Sequence, residues 1–443
     1  MEEISSDQGL DLALTSLLSS RLALLCGAGL SMASPSNLPS AAAVAAEAKR
    51  RYDAKYGATR ASLAENIDDQ AEFFFQRSEL NTVYLRTFID PNTFVGQPNA
   101  GHAAIADLLL TRAIDIAVST NVDSLIEVSG TMLYGQIGSS FERDVLATLP
   151  PGRAPLLKIH GCWATDPATT IWARGQLSAE PFARRISENK EWLAVRLLDR
   201  DLIIVGYWSD WDYLNEILER TLGNIRPTRV VVVDPSDGAW LSAKAPCLEA
   251  LGQRATASFV HVRQSGDQFL NRLRVLFSES FVRQVLYRGA DAYASHFGID
   301  ADPVWREPPS LAIHDLWQTR RDIEGRLPNH PASDLDPPDE PLLGLTLVLL
   351  RSRGATPDGP YWMLNGQRIR VLRASNQMLH EIQAKFARET PPAVAAEIII
   401  AVGAENQRLP ANIARANTNR SIARANSGRW LTRAEAVEDL RLC

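Results

Sequence analysis

Five short aliphatic runs recur through the first 235 residues: Leu22–Leu25, Ile114–Val118, Leu156–Ile159, Leu202–Val205 and Val230–Val233. Several lack the apolar–polar alternation of a strand with one wet face. That is the pattern of strands buried on both sides of a parallel sheet. Helix-like stretches separate them. Ser40–Tyr56 is Ala-rich, with Pro39 and Ser40 as start signals, and His102–Thr111 and Asp212–Leu222 have helical composition. Strands alternating with helices predict an α/β fold, an open Rossmann-like parallel sheet with right-handed crossovers.

Ligands of such sheets sit outside the carboxyl ends of the strands. Three polar segments fall there: Gly27-Ala28-Gly29-Leu30-Ser31, Ser119-Thr120-Asn121-Val122-Asp123, and His160-Gly161 at the end of the third run. The glycine turn fits a strand-to-helix phosphate turn. Glycine lets the backbone approach an anion, free N–H groups can grip it, and Ser31 adds a hydroxyl. Met32 stands where a third glycine would complete the dinucleotide fingerprint, and no Gly-Lys-Ser/Thr follows, so neither that motif nor a P-loop is present. A tight packing turn would have the same sequence.

Asp123 either caps a helix starting at Ser124 or binds a carboxamide, and Asn121 beside it suits a ribose or an attacking water. His160 ends an apolar strand before a glycine, where a neutral imidazole can act as general base. Gly206 and Ser209, after the fourth run, suit the far ribose or phosphates. Asp234, after the fifth, suits a ribose hydroxyl. Turn residues closing strands would read alike at all three. Pro98-Asn99-Ala-Gly-His102 is most simply a helix cap. A phosphate turn, an amide with a carboxylate, and a histidine together suit chemistry at the nicotinamide–ribose bond of NAD.

Bulk properties narrow the class. With 45% apolar and 22% charged residues in 443, the chain can build a full core. A net charge of −6 argues against a protein that coats nucleic acid. The four cysteines, Cys26, Cys162, Cys247 and Cys443, form no Cys-x-x-Cys pair, so no structural metal is expected. The acidic N-terminus lacks a signal pattern, and no apolar run approaches the roughly 20 residues of a membrane span. The expected location is the cytoplasm.

Two domains are expected, 1–275 and 276–443. In the second, Asp334–Pro341 reads as an acidic, proline-rich linker, Leu343–Leu350 as a strand, Asn365-Gly366 as a hairpin turn, Gln377–Glu389 as a helix and Ile398–Val402 as a strand. This is a smaller α+β unit for assembly or partner binding. Ile-Ala-Arg-Ala-Asn occurs twice, too few copies for a solenoid. Arg415, Arg420, Arg424 and Arg429 lie in a stretch without acids, either a solvated or subunit-contact face or a contact for phosphate or an acidic partner.

The chain resembles the sirtuin family, and within it the bacterial sirtuin-like NAD hydrolases of antiphage defence. The resemblance rests on Gly27–Ser31 with Leu38-Pro39, Pro98-Asn-x-x-His102, Thr120-Asn-x-Asp123, Lys158-Ile-His-Gly161, Gly206-x-x-Ser209 and Val233-Asp234, in the family's order across roughly residues 15–265. It implies a Rossmann-like NAD domain with Asn121 and His160 as the catalytic pair and Asp123 on the nicotinamide amide. Gly27, Ala28, Gly29 and Ser31 would line the pyrophosphate side, with Gly206 and Ser209 as further contacts. The four-cysteine zinc module and the Asp-Phe-Arg segment of protein-deacylating members are missing. The implied activity is NAD hydrolysis to nicotinamide and ADP-ribose without a metal, an effector of antiviral defence by abortive infection, held off until assembly or a partner triggers it. The implied partners are further copies of the chain and a HerA-type ATPase translocase, with a short Argonaute as the less favoured option. A deacylase or ADP-ribosyltransferase and a non-catalytic NAD-sensing scaffold are the other readings.

Overall fold

The computed structural model describes residues 1–133, 135–150, 153–165, 167–207, 212–324, 339–373, 396–403 and 429–443. The chain divides into two compact units, Met1–Leu273 and Arg274–Cys443.

The first unit is built on an eight-stranded sheet: β1 (Glu2–Ile4), β2 (Leu22–Cys26), β3 (Ala117–Ser119), β4 (Gln136–Ser140), β5 (Arg153–Lys158), β6 (Asp201–Val205), β7 (Arg229–Val233) and β8 (Ser258–Val262). The spatial order is β1-β8-β7-β6-β2-β3-β5-β4. Every pairing is parallel. The five aliphatic runs thus became five of the six inner strands, β7-β6-β2-β3-β5. β2 and β6 are buried at every position, the reason their sequences show no alternation. β1, β4 and β8 carry no such run and are not evident in the sequence. β1 and β4 are edge strands with one neighbour each, so their side chains need not be apolar. After β2 the chain lays β3, β4 and β5 on one side, β5 between the other two, then β6, β7 and β8 on the other. The reversal falls at β2 and β6, and a sheet of this type opens its ligand crevice at such a point.

Helices cover the sheet. Ala41–Tyr56 starts at Ser40, whose side chain accepts from Ala43 N–H. Together with Ile67–Phe75 and Leu80–Phe88 it forms a separate apolar cluster around Tyr52, Phe74, Tyr84 and Phe88, closed by Trp163 and Trp172. Leu80–Phe88 is a π-helix, wound by bonds such as Ile89 N–H to Tyr84 C=O. Ala100–Leu110 is capped by Asn99, as the sequence indicated.

The second unit carries a five-stranded mixed sheet, β9 (Thr356–Asp358), β10 (Tyr361–Leu364), β11 (Gln367–Arg373), β12 (Ile398–Val402) and β13 (Arg429–Thr432). Its order is β13-β12-β11-β10-β9. β9, β10 and β11 form an antiparallel meander, and β11, β12 and β13 are parallel. Asn365 and Gly366 turn the β10–β11 hairpin with φ of 52° and 76°, the positive values that a two-residue type I′ turn needs. The expected strand at Leu343–Leu350 is instead part of a helix, Asp339–Ser352. A continuous apolar run does not distinguish a strand from a helix buried on most sides. Here burial extends from Leu343 through Leu350, and Gly344 packs directly on Gly289 and the Val285 carbonyl, a helix–helix approach with no room for Cβ. Arg370 and Asp322 form a buried two-bond ion pair at 2.7 Å. The expected helix Gln377–Glu389, the repeated pentapeptide, and Arg415, Arg420 and Arg424 lie outside the described residues. Among the described residues no helix is long and apolar enough to cross a membrane.

Candidate functional site

The parallel sheet places the carboxyl ends of β7, β6, β2, β3 and β5 along one edge, in that order. Asp234, Gly206, Gly27, Asn121 and His160 stand on those ends, each within a few residues of its strand. Ser31 is the centre of the hydrogen bonds there. Its hydroxyl donates to Asp123 Oδ2 at 2.8 Å and accepts from Asn121 Nδ2 at 3.0 Å, while His102 Nε2 lies 3.1 Å away. Asn99 N–H points at His102 Nδ1 at 3.2 Å, so Nδ1 is the acceptor and Nε2 carries the proton toward Ser31. Asp123 Oδ1 takes the N–H of Leu125 at 3.1 Å, so this carboxylate also caps the helix Leu125–Met132. Asn121 Oδ1 is buried and has no hydrogen-bond partner among the described residues, so its carbonyl end remains available to a ligand.

His160 joins through the main chain. It is 4% exposed, and its Nδ1 donates to the carbonyl of Thr120 at 2.8 Å, the residue before Asn121. A carbonyl only accepts, so Nδ1 holds the proton and Nε2 is the basic nitrogen. Burial pushes the His160 pKa down to about 4, against a smaller opposite effect of the Thr120 bond. Burial likewise lowers His102 to about 4, with Asp123 opposing. Both rings are neutral at pH 7. Gly161 follows with φ of 84°, and a Cβ there would meet the Thr169 carbonyl at 2.8 Å.

The glycine turn is packed more tightly than its sequence indicates. Gly27 N–H donates to Val205 C=O at 3.0 Å and Gly29 N–H to Gly206 C=O at 2.8 Å. A Cβ on Gly27 would meet Gly206 O at 2.7 Å, and one on Gly29 the same atom at 2.8 Å. Those two amides are therefore engaged within the protein, whereas Ala28 N–H has no backbone acceptor among the described residues. Gly206 has φ of 59°. Asp234 is buried, and its Oδ1 accepts from Ser236 N–H at 2.8 Å, a turn contact two strands away from β2. Ser209 lies outside the described residues.

Two residues that the sequence offered only within matching motifs, with no role of their own, take part in the hydrogen bonding. His102 looked like part of a cap, although its place three residues after Asn99 put it on the same helix face. Lys158 looked like a strand residue, yet it is 1% exposed beneath the site. A cavity of about 650 Å³ opens next to Asp123, lined by Leu85, Phe94, Val95, Leu125, Val128 and Trp163, with Asn81, Arg86 and Ser124 as polar members. None of the candidate site residues lines it. The hydrogen-bonded cluster is the better guide to chemistry, because the cavity wall holds no histidine or carboxylate. Burial pushes the Cys26 thiol up to about 12, so it is no nucleophile at neutral pH. Among the described residues no group of three or more His, Cys, Asp or Glu side chains converges as a metal site.

An open α/β sheet with polar strand ends gathered at one edge defines a Rossmann-like protein. Residues 115–254 match the family model described as a SIR2-like domain, a span that holds Asn121, Asp123, His160, Gly206 and Asp234. Over that span the chain is similar to SIR2-like domains. Among solved structures, a Sir2 homologue–NAD complex is 14% identical, with 63% of this chain and 97% of that chain covered and a TM-score of 0.35. A Sir2 bound to acetylated peptide is 15% identical, with 60% and 96% covered and a TM-score of 0.34. No curated protein matches the chain.

Proposed function

We propose that the first unit hydrolyses NAD to nicotinamide and ADP-ribose. The observation that carries this reading is a buried network at adjoining strand ends, in which Ser31 bonds both Asn121 and Asp123 while His160 bonds the carbonyl of Thr120, the residue before Asn121. The SIR2-like match over 115–254 supports the choice of cofactor chemistry. NAD is the substrate here, and no metal is invoked.

Nicotinamide leaves with its positive nitrogen neutralised, so no strong acid is needed. The ribose passes through an oxocarbenium-like state that the pocket must favour over the ground state. With Nδ2 engaged by Ser31, Asn121 offers its carbonyl oxygen to a ribose hydroxyl or to the attacking water. Neutral His160 takes the proton that water gives up. Asp123 has lone pairs left for the nicotinamide amide. Ala28 N–H, which has no backbone acceptor among the described residues, suits the pyrophosphate side, with Gly27, Gly29 and Gly206 shaping the turn that presents it and Ser31, Ser209 and Asp234 as further cofactor contacts. Purified full-length protein should release nicotinamide from NAD without an acceptor. His160→Ala and Asn121→Ala should each slow this by about 10²–10⁴-fold. Undiminished turnover in both variants would sink the assignment.

A second reading has one observation behind it. The apolar cavity beside Asp123 suits an acceptor, as a deacylase or ADP-ribosyltransferase requires. Nicotinamide release that appears only when an acyl-lysine peptide or protein acceptor is added would select it. The motif set Gly27–Ser31, Asn121–Asp123 and Lys158–Gly161 supports a role in antiphage defence by NAD depletion, gated by self-assembly or a HerA-type ATPase. Mass photometry with and without that ATPase tests the gating.

A further inference from the structure

Lys158 is an unusual occupant for the interior end of β5. Its side chain is 1% exposed, and the cost of drying an ammonium is several kcal/mol before its partners return anything. A leucine would fill the same space and fold at lower cost. What an ammonium adds is direction: three N–H donors that can hold three groups in fixed places. All three are used. Nζ donates to the main-chain carbonyl of Asp123 and to Glu127 Oε1 at 3.1 Å, and Cys162 Sγ lies 3.4 Å away.

Those contacts join three elements. Lys158 is the last residue of β5, and the turn that follows it, closed by Gly161 N–H on the Lys158 carbonyl at 3.0 Å, carries His160. Asp123 belongs to the turn that carries Asn121. Glu127 lies in the first turn of the helix Leu125–Met132, which that turn leads into. Burial by itself would lower the Lys158 pKa, but Glu127, Cys162 and Asp123 outweigh it and raise it, so the clamp is charged at neutral pH. Glu127 is partly buried, with 18% of its side chain exposed, and its only ion pair among the described residues is with Lys158.

We propose that Lys158 with Glu127 is a positioning clamp, fixing the Asn121–Asp123 turn against the end of β5, from which the turn with His160 leaves. Neither side chain touches substrate. The clamp acts by keeping amide, carboxylate and imidazole at one spacing, and its kinetic readout rests on the NAD chemistry proposed above.

The test uses the full chain with Lys158→Met, Glu127→Gln and the double variant. Two quantities are read: steady-state NAD hydrolysis, and hydrogen–deuterium exchange over residues 119–127. A loss of spacing near 1 Å should lower kcat on the order of a hundredfold in Lys158→Met. KM for NAD should stay nearly unchanged. The double variant should be no slower than Lys158→Met, because the two groups act as one unit. Exchange should quicken over 119–127 and not in β6 or β7. Wild-type kcat in Lys158→Met, additive losses in the double variant, or faster exchange spread over the whole sheet would overturn the clamp. If Lys158→Met fails to fold, Glu127→Gln carries both readouts, with a smaller loss in the same direction. If the wild-type chain does not hydrolyse NAD, the functional reading falls while exchange still decides the clamp.

Discussion

Two buried imidazoles give this site a pH signature. His102 and His160 both have pKa values near 4 in the folded chain, against 6.5 when exposed. The unfolded chain therefore binds protons that the folded chain refuses between pH 6.5 and 4. Stability should be level above 6.5 and fall as pH drops through that window, by at most about 3 kcal/mol per histidine. Urea unfolding at steps of pH measures it. Replacing both with Gln should flatten the slope, even where the pair of changes lowers stability overall. Activity should show no loss from histidine protonation until the pH nears 4. At this scale the sequence revealed identities but not roles. Asn121 and His160 were legible because each follows an aliphatic run. Ser31 was legible as a polar residue in a turn, but its donation to Asp123 depends on a residue 92 positions away.

At the level of elements, the glycine turn separates packing from ligand binding. Gly27→Ala should lower stability by about 1–3 kcal/mol, since the new methyl meets Gly206 O and Tyr207 main chain below 3 Å. A turn shaped only for a ligand would lose NAD affinity with no change in the unfolding midpoint. Gly366→Ala is a contrasting case. Nothing lies within 4 Å of its Cβ position, so only the positive φ resists, at about 1 kcal/mol. The inner strands and the hairpin were readable because burial on both faces and a positive-φ turn each leave a local mark. Leu343–Leu350 misled because its surroundings, not its own pattern, decide between strand and helix. Edge strands β1 and β4 left no mark, since one neighbour suffices to hold them.

For the molecule as a whole, the expected boundary at 275 and the division of contacts after Leu273 both fall inside one 32-residue helix, Gly266–Phe297. Its first turns belong to the first unit: Phe269, Leu270 and Leu273 are fully buried, and Phe269 packs near Gly9. A fragment ending at Ser265 loses those three side chains, each worth about 1.5–3 kcal/mol, a large share of a domain's usual stability. A fragment ending at Phe297 keeps them. The shorter fragment should unfold at markedly lower urea concentration, and equal midpoints would refute this account. The sequence alone determined the parallel α/β sheet, the polar strand ends and most of the candidate residues, because burial and turn geometry act over a few neighbouring positions. Tertiary structure alone decided what His102 and Lys158 bond to, that the glycines pack against Gly206, and that an apolar run becomes a helix. Each of those depends on hydrogen bonds or close contacts between residues far apart in the chain, and such pairings leave no periodic trace in it.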